Sequence, residues 1–316
     1  MRRAVAELEE KVVKTLYHHG RGLVRAIREI RWSLSPVAVS RPVFIVGCSR
    51  AGTTLVYKTF SEAEELGSLQ RETHDFWAEL HPLAEQQWRS HALGAAEASR
   101  HDREVVARYF YVHTGRQRFV DKNNQNGLCV PYLYALFPDA HFIYVKRSPG
   151  DNLNSLMEGW RKPDEFATWS HILPATVAVD QGAFDRWCFF LPPGWRDYLN
   201  ASLEEVCALQ YRAMNEALVA CRELVPARQW TEIFYEDLLR DSVSGFRRAF
   251  EEAGITFSAA LERQCADVMA TPYNAFSEIR LDKWRDGRNR ERIERVLPSV
   301  RVVAKTMGYE PQPGTE

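Results

Sequence analysis

Short apolar runs alternate along the chain with stretches in which apolar residues recur at helical spacing. The runs predict strands at 42–46, 119–121, 141–145 and 230–235. The stretches predict helices at 53–65, 128–137, from 151 onwards, and at 202–224, 236–254 and 290–307. Strands that alternate with helices form parallel sheets with right-handed crossovers. The pattern therefore predicts a single α/β domain in which helices flank a central parallel sheet.

Two regions depart from this rhythm. Residues 68–77 lack a clear period and predict an extended or irregular segment. Residues 160–200 are rich in aromatic residues and prolines and predict an insertion. Its rings either pack in the core or form the wall of a binding site. After the insertion, Ser202 and Glu205 form a capping box that marks the start of the next helix.

Residues 1–40 predict a helical arm that precedes the domain at 41–316. Its helix is predicted over 5–34, and Ser35-Pro36 ends it. The apolar positions are Leu23, Ile27, Ile30 and Leu34, and the basic positions are Arg21, Arg25, Arg28 and Arg31. A basic amphipathic helix either packs on its own domain or makes peripheral contact with an anionic membrane or a partner. The sequence leaves both interpretations open.

Composition and charge exclude several classes of protein. The chain has 316 residues and is 45% hydrophobic, enough for a substantial core, and its net charge of −1 argues against a general nucleic-acid binder. No apolar run reaches the ~18 residues of a membrane span, and an acidic stretch at 7–10 replaces a signal-peptide core. We therefore expect a cytoplasmic protein. The six cysteines are widely spaced, so we expect neither a metal site nor disulfides.

The strand at 42–46 runs into a turn bracketed by Gly47 and Gly52 and then into a helix. Such a turn lets the backbone curl around an oxyanion while the N–H groups at the helix start point at it. The turn nearly matches the phosphate loop of nucleotide triphosphatases, but Thr53 stands where those enzymes keep a lysine. The strong cation of the turn is instead Arg50.

Basic residues follow three of the predicted strands: Arg50, Lys122 and Arg147. Ligands of parallel sheets bind at the carboxyl ends of the strands, where these residues fall. A single arginine there is typical of a surface ion pair. Three cations at one edge, one of them in a glycine loop, indicate a polyanionic ligand.

These motifs, in this order, resemble those of the sulfotransferases that use 3′-phosphoadenosine 5′-phosphosulfate (PAPS). The matching segments are 47–54, Asp121-Lys122-Asn123, 137–140, 147–151 with Ser155, 235–238 and Lys283-Trp284. The resemblance covers roughly residues 42–309 and is closest to the Golgi-type carbohydrate and tyrosylprotein branches. It implies a bacterial member of the family with a P-loop-like α/β fold.

The resemblance also implies which residues bind PAPS. Those for the 5′-phosphosulfate are Arg50, Ala51, Gly52, Thr53 and Thr54, and those for the 3′-phosphate are Arg147 and Ser155. Three further residues are expected near the nucleotide: Tyr235, Lys283 and Trp284. Tyr235 alternatively braces the end of the sheet together with Glu236, and Trp284 either stacks on adenine or anchors the last helix. Ala51 and Ser148 replace a serine and an aspartate common in the family, and neither change removes a cation.

The implied reaction is an in-line displacement at sulfur by a hydroxyl or amine. Arg50 and Lys122 would stabilise the charge that develops on the departing phosphate, and the resemblance places the general base at Glu72. His74 is the alternative base, because the cytosolic branch uses histidine. A third interpretation makes 71–75 a solvated polar turn.

The acceptor implied is a carbohydrate, a lipid-linked molecule such as a glycolipid, or a natural product, with the insertion as its wall. Two other functions stay open. One is a phosphate-loop kinase that uses ATP, against which Thr53 argues. The other is a catalytically silent nucleotide-binding or membrane-docked scaffold, against which Glu72, Lys122 and Arg147 argue. The sequence does not specify an oligomeric state.

Overall fold

The structure, a computed structural model, describes residues 22–267 and 280–309. The strands in these ranges are β1 (Val43–Val46), β2 (Val120–Lys122), β3 (His141–Lys146) and β4 (Trp230–Phe234). They form one parallel sheet in the order β2-β1-β3-β4. The sheet confirms the α/β fold predicted from the sequence.

Helices cover both faces of the sheet. The first, α1, spans residues 22–34. The others are α2 (Thr53–Phe60), α3 (His74–Leu80), α4 (Arg100–Thr114), α5 (Val130–Leu136), α6 (Pro149–Trp160), α7 (Pro163–Phe166), α8 (Val179–Gly182), α9 (Leu203–Leu224), α10 (Tyr235–Arg240), α11 (Ser242–Glu252), α12 (Ala259–Asp267) and α13 (Arg290–Met307). Of these, α7 and α8 are single turns within the insertion.

The central strands are apolar on both faces, as expected for a parallel sheet covered by helices. Because side chains alternate along a strand, Phe44 and Phe142 face one side, where they join the core built by α4, α5, α6, α9 and α13. Ile45 and Ile143 face the other side, against α2, α10, α11 and α12. With both faces covered, the carboxyl edge of the sheet is the place where loops from several strands meet.

Most predicted elements lie where the pattern put them. The last helix spans the predicted residues, and the capping box of Ser202 and Glu205 opens α9. The helix predicted over 53–65 ends at Phe60. The prediction of an irregular segment over 68–77 was wrong for its last residues, because α3 begins at His74.

The insertion fills part of the core. Trp160, Trp187 and Trp195 are fully buried, and their rings lie 5.6–5.9 Å apart in edge-on contacts. Core packing, one of the two alternatives for these rings, therefore describes this group. A second group of aromatic side chains from the same insertion faces a cavity at the carboxyl edge of the sheet.

The part of the predicted arm helix within the described residues, 22–34, is helical, and residues 5–21 lie outside them. Its polar side contacts α4 through Arg28, which donates to the carbonyls of Val112 and His113 at 3.3 and 3.2 Å. Its apolar side faces solvent. The helix thus packs on its own domain through its polar side, although the hydrophobic pattern would favour packing through the apolar side.

Candidate anion and acceptor site

The turn between β1 and α2 has a geometry that only glycine can adopt at two positions. Gly52 has φ +103°, and a Cβ there would lie 2.4 Å from the ring of Tyr235. A Cβ on Gly47 would lie 2.5 Å from the carbonyl oxygen of Val145. The turn therefore packs tightly against β3. The first N–H groups of α2, which have no partner within the helix, line the inside of the turn.

Two arginines from successive strand-end loops meet beside this turn. Arg147 donates to the backbone carbonyl of Arg50 at 2.9 Å, and Arg50 Nε lies 3.4 Å from Ser155 Oγ. Burial, and next the charge of Arg147, lowers the pKa of Arg50 to about 10. Arg147 Nε is buried and has no hydrogen-bond partner among the described residues. Two like charges and an unsatisfied donor are the features that an anion with several oxygens would satisfy.

Arg147 has an aromatic ring and a further cation as neighbours. Its guanidinium lies 4.6 Å from the ring centroid of Tyr235, a cation–π distance. Burial, and next the charge of Arg147, lowers the pKa of Lys283. Asp151, in the first turn of α6, accepts from the backbone N–H of Asp282 at 2.8 Å and so holds the Lys283 segment at the sheet edge.

Glu72 lies on the other side of Arg50, in an ion pair with Lys122, whose side chain is only 3% exposed. Lys122 Nζ is also 3.4 Å from Thr54 Oγ1, so the same ammonium contacts both the loop helix and the carboxylate. Burial acts to raise the pKa of Glu72, but Lys122, His74 and Thr54 together hold it below its ordinary value. His74 Nδ1 lies 3.5 Å from Glu72 Oε2 and is about half exposed.

The segment that carries Glu72 is fixed by a buried carboxylate on β2. Asp121 accepts hydrogen bonds from Thr73 Oγ1, from Trp77 Nε1 at 3.0 Å and from Asn126 Nδ2 at 2.9 Å. These contacts explain why the segment is ordered and why α3 starts at His74. Because Lys122 follows Asp121 on the same strand, the strand positions both the segment that carries Glu72 and the cation that pairs with Glu72.

A cavity of about 730 Å³ brings these groups together at the carboxyl edge of the sheet. Its other wall is apolar and aromatic, with Trp88, Phe166, Trp169, Ile172 and Phe189. The indole N–H of Trp169 is buried and has no hydrogen-bond partner among the described residues.

His91 is a polar group of fixed tautomer in this wall. Its Nδ1 accepts from the backbone N–H of Leu191 at 2.7 Å, and burial lowers its pKa to about 3. A neutral imidazole whose Nδ1 accepts must carry its proton on Nε2. His91 therefore contributes its Nε2–H as a hydrogen-bond donor. The centroid of its ring lies 5.0 Å from that of the Trp169 ring.

The cavity gathers most of the residues that the sequence proposed for the site. They are Arg50, Gly52, Thr53, Thr54, Glu72, His74, Lys122, Arg147, Ser155, Tyr235 and Lys283. Ala51 and Trp284 are not in the lining. Ala51 is buried within the turn, and its N–H donates to the carbonyl of Cys48 at 3.0 Å. Trp284 is buried against Gly150 of α6.

Three residues that support the site had no role in the sequence-based prediction: Asp121, Asn152 and His91. Asp121 fixes the segment that carries Glu72, and Asn152 donates to the carbonyl of Ser49 at 2.9 Å, inside the glycine turn. Glu236, which was expected to brace the end of the sheet, accepts from the N–H of Ser148 at 2.8 Å in the Arg147 loop. Asp121 directly follows Phe119 and Val120 in the predicted strand, and a carboxylate inside an apolar strand was a signal that could have revealed its role.

Residues 22–267 and 280–309 contain no group of three or more His, Cys, Asp or Glu side chains placed to hold a metal ion. Within the same ranges, no helix is long and apolar enough to cross a membrane. All six cysteines fall in the described residues and are free and buried.

Comparison with known proteins adds to this geometry. Among solved structures, a sulfotransferase STF9 from Mycobacterium avium is 18% identical, covers 91% of this chain and 82% of its own, and has a TM-score of 0.54. The sulfotransferase STF1 from Mycobacterium tuberculosis H37Rv is 15% identical, and the alignment covers 87% of this chain and 84% of STF1 with a TM-score of 0.45. Mouse sulfotransferase SULT7A1, complexed with PAP, is 13% identical, and the alignment covers 84% of this chain and 87% of the mouse protein with a TM-score of 0.42.

The first of these similarities is one of fold. No curated protein matches the chain in sequence. The model of the Sulfotransferase family, however, matches residues 42–259. This range begins at β1 and includes α10 and α11, the two helices that follow β4. Because this match covers more than half of the sequence, the chain belongs to the sulfotransferase family.

Proposed function

We propose that the protein transfers a sulfuryl group from PAPS to a hydroxyl or amine of a small-molecule acceptor, with Glu72 as general base. The observation that carries the proposal is the meeting of Arg50 and Arg147 beside a glycine turn that opens a helix. Two adjacent guanidiniums repel each other, so a ligand with separated anionic groups is the partner that stabilises them. The unsatisfied Arg147 Nε fits a phosphate oxygen in the same way.

PAPS, when bound, supplies the sulfuryl group and leaves as PAP, its desulfated product 3′,5′-ADP. The loop residues Gly52, Thr53 and Thr54 hold its 5′ end through backbone N–H groups and hydroxyls. Arg147 and Ser155 hold the 3′-phosphate, and the proximity of Lys283 to Arg147 supports a role there.

Three other residues predicted near the nucleotide support the site without holding a phosphate in this proposal. Ala51 shapes the turn, Tyr235 supports Arg147 from below its guanidinium, and Trp284 anchors the segment that carries Lys283.

Glu72 accepts the proton of the acceptor. Its lowered pKa keeps it ionised at neutral pH, as a base must be, but its ion pair with Lys122 weakens its basicity. Lys122 also lies near Thr54 of the loop helix. Movement of Lys122 from Glu72 towards an anion in the loop would therefore strengthen the base when the donor is bound, while Lys122 and Arg50 stabilise the charge that develops on the departing phosphate.

The acceptor lies against the aromatic wall. Phe166, Trp169 and Phe189 favour a molecule with a ring or acyl portion, and the Nε2–H of His91 favours an oxygen on that molecule. Sugar rings, glycolipids and natural products all carry both features. Acceptors that combine an apolar body with few oxygens fit this wall best.

We place the enzyme in the cytoplasm. Six free buried cysteines are typical of proteins in a reducing compartment, where thiols stay unpaired. Oxidation with diamide followed by thiol counting of the native protein checks the premise, since buried thiols should stay reduced.

The direct test supplies PAPS to the purified protein with an extract of candidate acceptors and searches by mass spectrometry for products that gain SO₃. Sulfated products from the wild type and none from Glu72→Gln are expected. If PAP binds and no product forms with any acceptor, the silent-scaffold alternative is favoured. If a parallel incubation with ATP in place of PAPS consumes ATP and yields phosphorylated products, the kinase alternative is correct.

A further inference from the structure

The first helix has an apolar face that nothing in the described structure covers. Five of the eight large hydrophobic side chains exposed among the described residues belong to α1, so the exposure is concentrated there. Leu23, Ile27, Ile30 and Leu34 recur at intervals of four, three and four residues, and they are 56–82% exposed. This spacing places them in one stripe along the helix. Contiguous exposed apolar surface of this kind marks an interaction site.

The opposite side of α1 is fixed to the domain. Besides Arg28, which caps the last carbonyls of α4, Glu29 pairs with Arg108 and the ring of Trp32 lies 5.7 Å from that of Tyr111. The stripe is therefore held outward by contacts on the polar side. A helix that used its apolar side for its own domain would show the reverse arrangement.

A cationic groove of about 510 Å³ lies between α1 and the domain. It is lined by Arg25, Arg28, Arg116 and His113, among other residues. Burial lowers the pKa of His113, and the charges of Arg25, Arg71 and Arg28 act in the same direction. Positive charge therefore lies on the polar face of α1 and the apolar stripe on the other face, which is the arrangement of helices that lie in a membrane interface.

Charge complementarity identifies the occupant. Residues 1–40 contain eight Lys and Arg but four Asp and Glu, whereas the whole chain has a net charge of −1. Two copies packed through this arm would bring like charges together, whereas anionic lipids would neutralise them. We propose that α1 and its groove dock the protein on an anionic membrane surface, with the apolar stripe among the acyl chains and the arginines at the headgroups.

The proposal has a geometric consequence for the catalytic cavity. Gln70 lines the groove and Glu72 lines the cavity, so one short segment borders both. Docking places this segment close to the lipid headgroups. The docking itself does not depend on the reaction, so its test stands apart from any test of sulfuryl transfer.

The experiment is vesicle flotation with the full-length protein, on vesicles of phosphatidylcholine alone and on vesicles with about 30% phosphatidylglycerol in ~0.15 M salt. We expect the protein to float with the anionic vesicles, to bind neutral ones about tenfold less, and to be released by about 1 M salt. The variant Ile27→Asp/Ile30→Asp should lose at least about tenfold in binding, because both charges fall in the apolar stripe. Arg25→Glu/Arg116→Glu should lose the preference for anionic vesicles.

The matched control is Leu224→Asp/Val302→Asp, which adds the same two charges at exposed apolar positions of α9 and α13. It should float like the wild type. Circular dichroism and PAP calorimetry on every variant confirm that the fold is kept. The proposal is overturned if the wild type ignores anionic vesicles, or if the control loses binding as fully as the α1 variant. It is equally overturned if light scattering finds a dimer that Ile27→Asp/Ile30→Asp converts to monomer, since a second copy would then be the occupant.

Discussion

The two halves of the cavity are built in different ways. The anion half consists of Arg50, Lys122 and Arg147, each within a few residues of a strand end, with glycines that set the backbone. The acceptor half consists of side chains from 82–91 and from the insertion, which are joined by long-range contacts such as that between Leu191 and His91. The first half depends on charge and local backbone geometry, and the second on tertiary packing. Substitutions in one half should therefore leave the function of the other nearly intact.

The largest effect is expected at the border of the halves. Glu72→Gln removes the carboxylate that we propose as the base, so kcat should fall by about 10²–10⁴-fold. PAP affinity should stay the same or increase, because Lys122 is released from its ion pair. Steady-state kinetics and calorimetry measure the two quantities. The matched variant His74→Asn should keep most of the activity, and the reverse outcome, an active Glu72→Gln with an inactive His74→Asn, would move the base to His74.

Arg147→Ala tests the anion half alone. Loss of charge-assisted hydrogen bonds should weaken PAP binding by about tenfold to a hundredfold. The KM of the acceptor should hardly change, since Arg147 lies on the Tyr235 side of the cavity. Arg100→Ala, at an arginine that is 92% exposed on α4, is the control and should bind PAP normally. Equal PAP affinity in the two variants would show that Arg147 does not bind the nucleotide.

Trp169→Phe tests the acceptor half alone. The substitution deletes a buried N–H that has no partner within the described structure, so the melting temperature should stay equal or rise. The KM of the acceptor should rise by about three- to tenfold if that N–H contacts the acceptor. PAP affinity, measured by calorimetry, should be unchanged. A more stable variant with an unaltered acceptor KM would show that the indole N–H takes no part in recognition.

The pH profile of kcat/KM gives the smallest but most specific difference. The pKa of Glu72 is lowered, so the carboxylate stays ionised as the pH falls to its ordinary value and activity is lost only below it. Between about pH 7 and 5.5 we therefore expect a change of less than about twofold. A histidine base would lose about tenfold over that interval, because protonation near pH 6.5 removes it. A decline of about tenfold over this interval would thus argue against Glu72 as the base.

The sequence predicted the sheet and the anion half because both depend on local signals. An apolar run, a glycine turn and the next helix start are adjacent in the chain, so Gly47, Arg50 and Gly52 could be interpreted together. The same holds for Lys122 and Arg147, which directly follow or end their strands.

Features that depend on distant contacts were missed. The start of α3 follows from hydrogen bonds to Asp121, 44 to 48 residues away, which no local pattern contains. The division of the insertion into core rings and cavity rings depends on the surfaces against which each ring packs. Likewise, hydrophobic periodicity located α1 correctly but could not reveal that Arg28 and Trp32, rather than the apolar stripe, face the domain.

We propose that two groups of positive charge bind one adenosine that carries phosphates at its 3′ and 5′ positions. Calorimetric titration of PAP into the wild-type protein in EDTA, with ATP in a separate titration, is the decisive experiment. Saturable one-to-one binding of PAP and no measurable heat from ATP are expected. Heat from ATP without heat from PAP would contradict this proposal, because the cavity would then serve a different nucleotide.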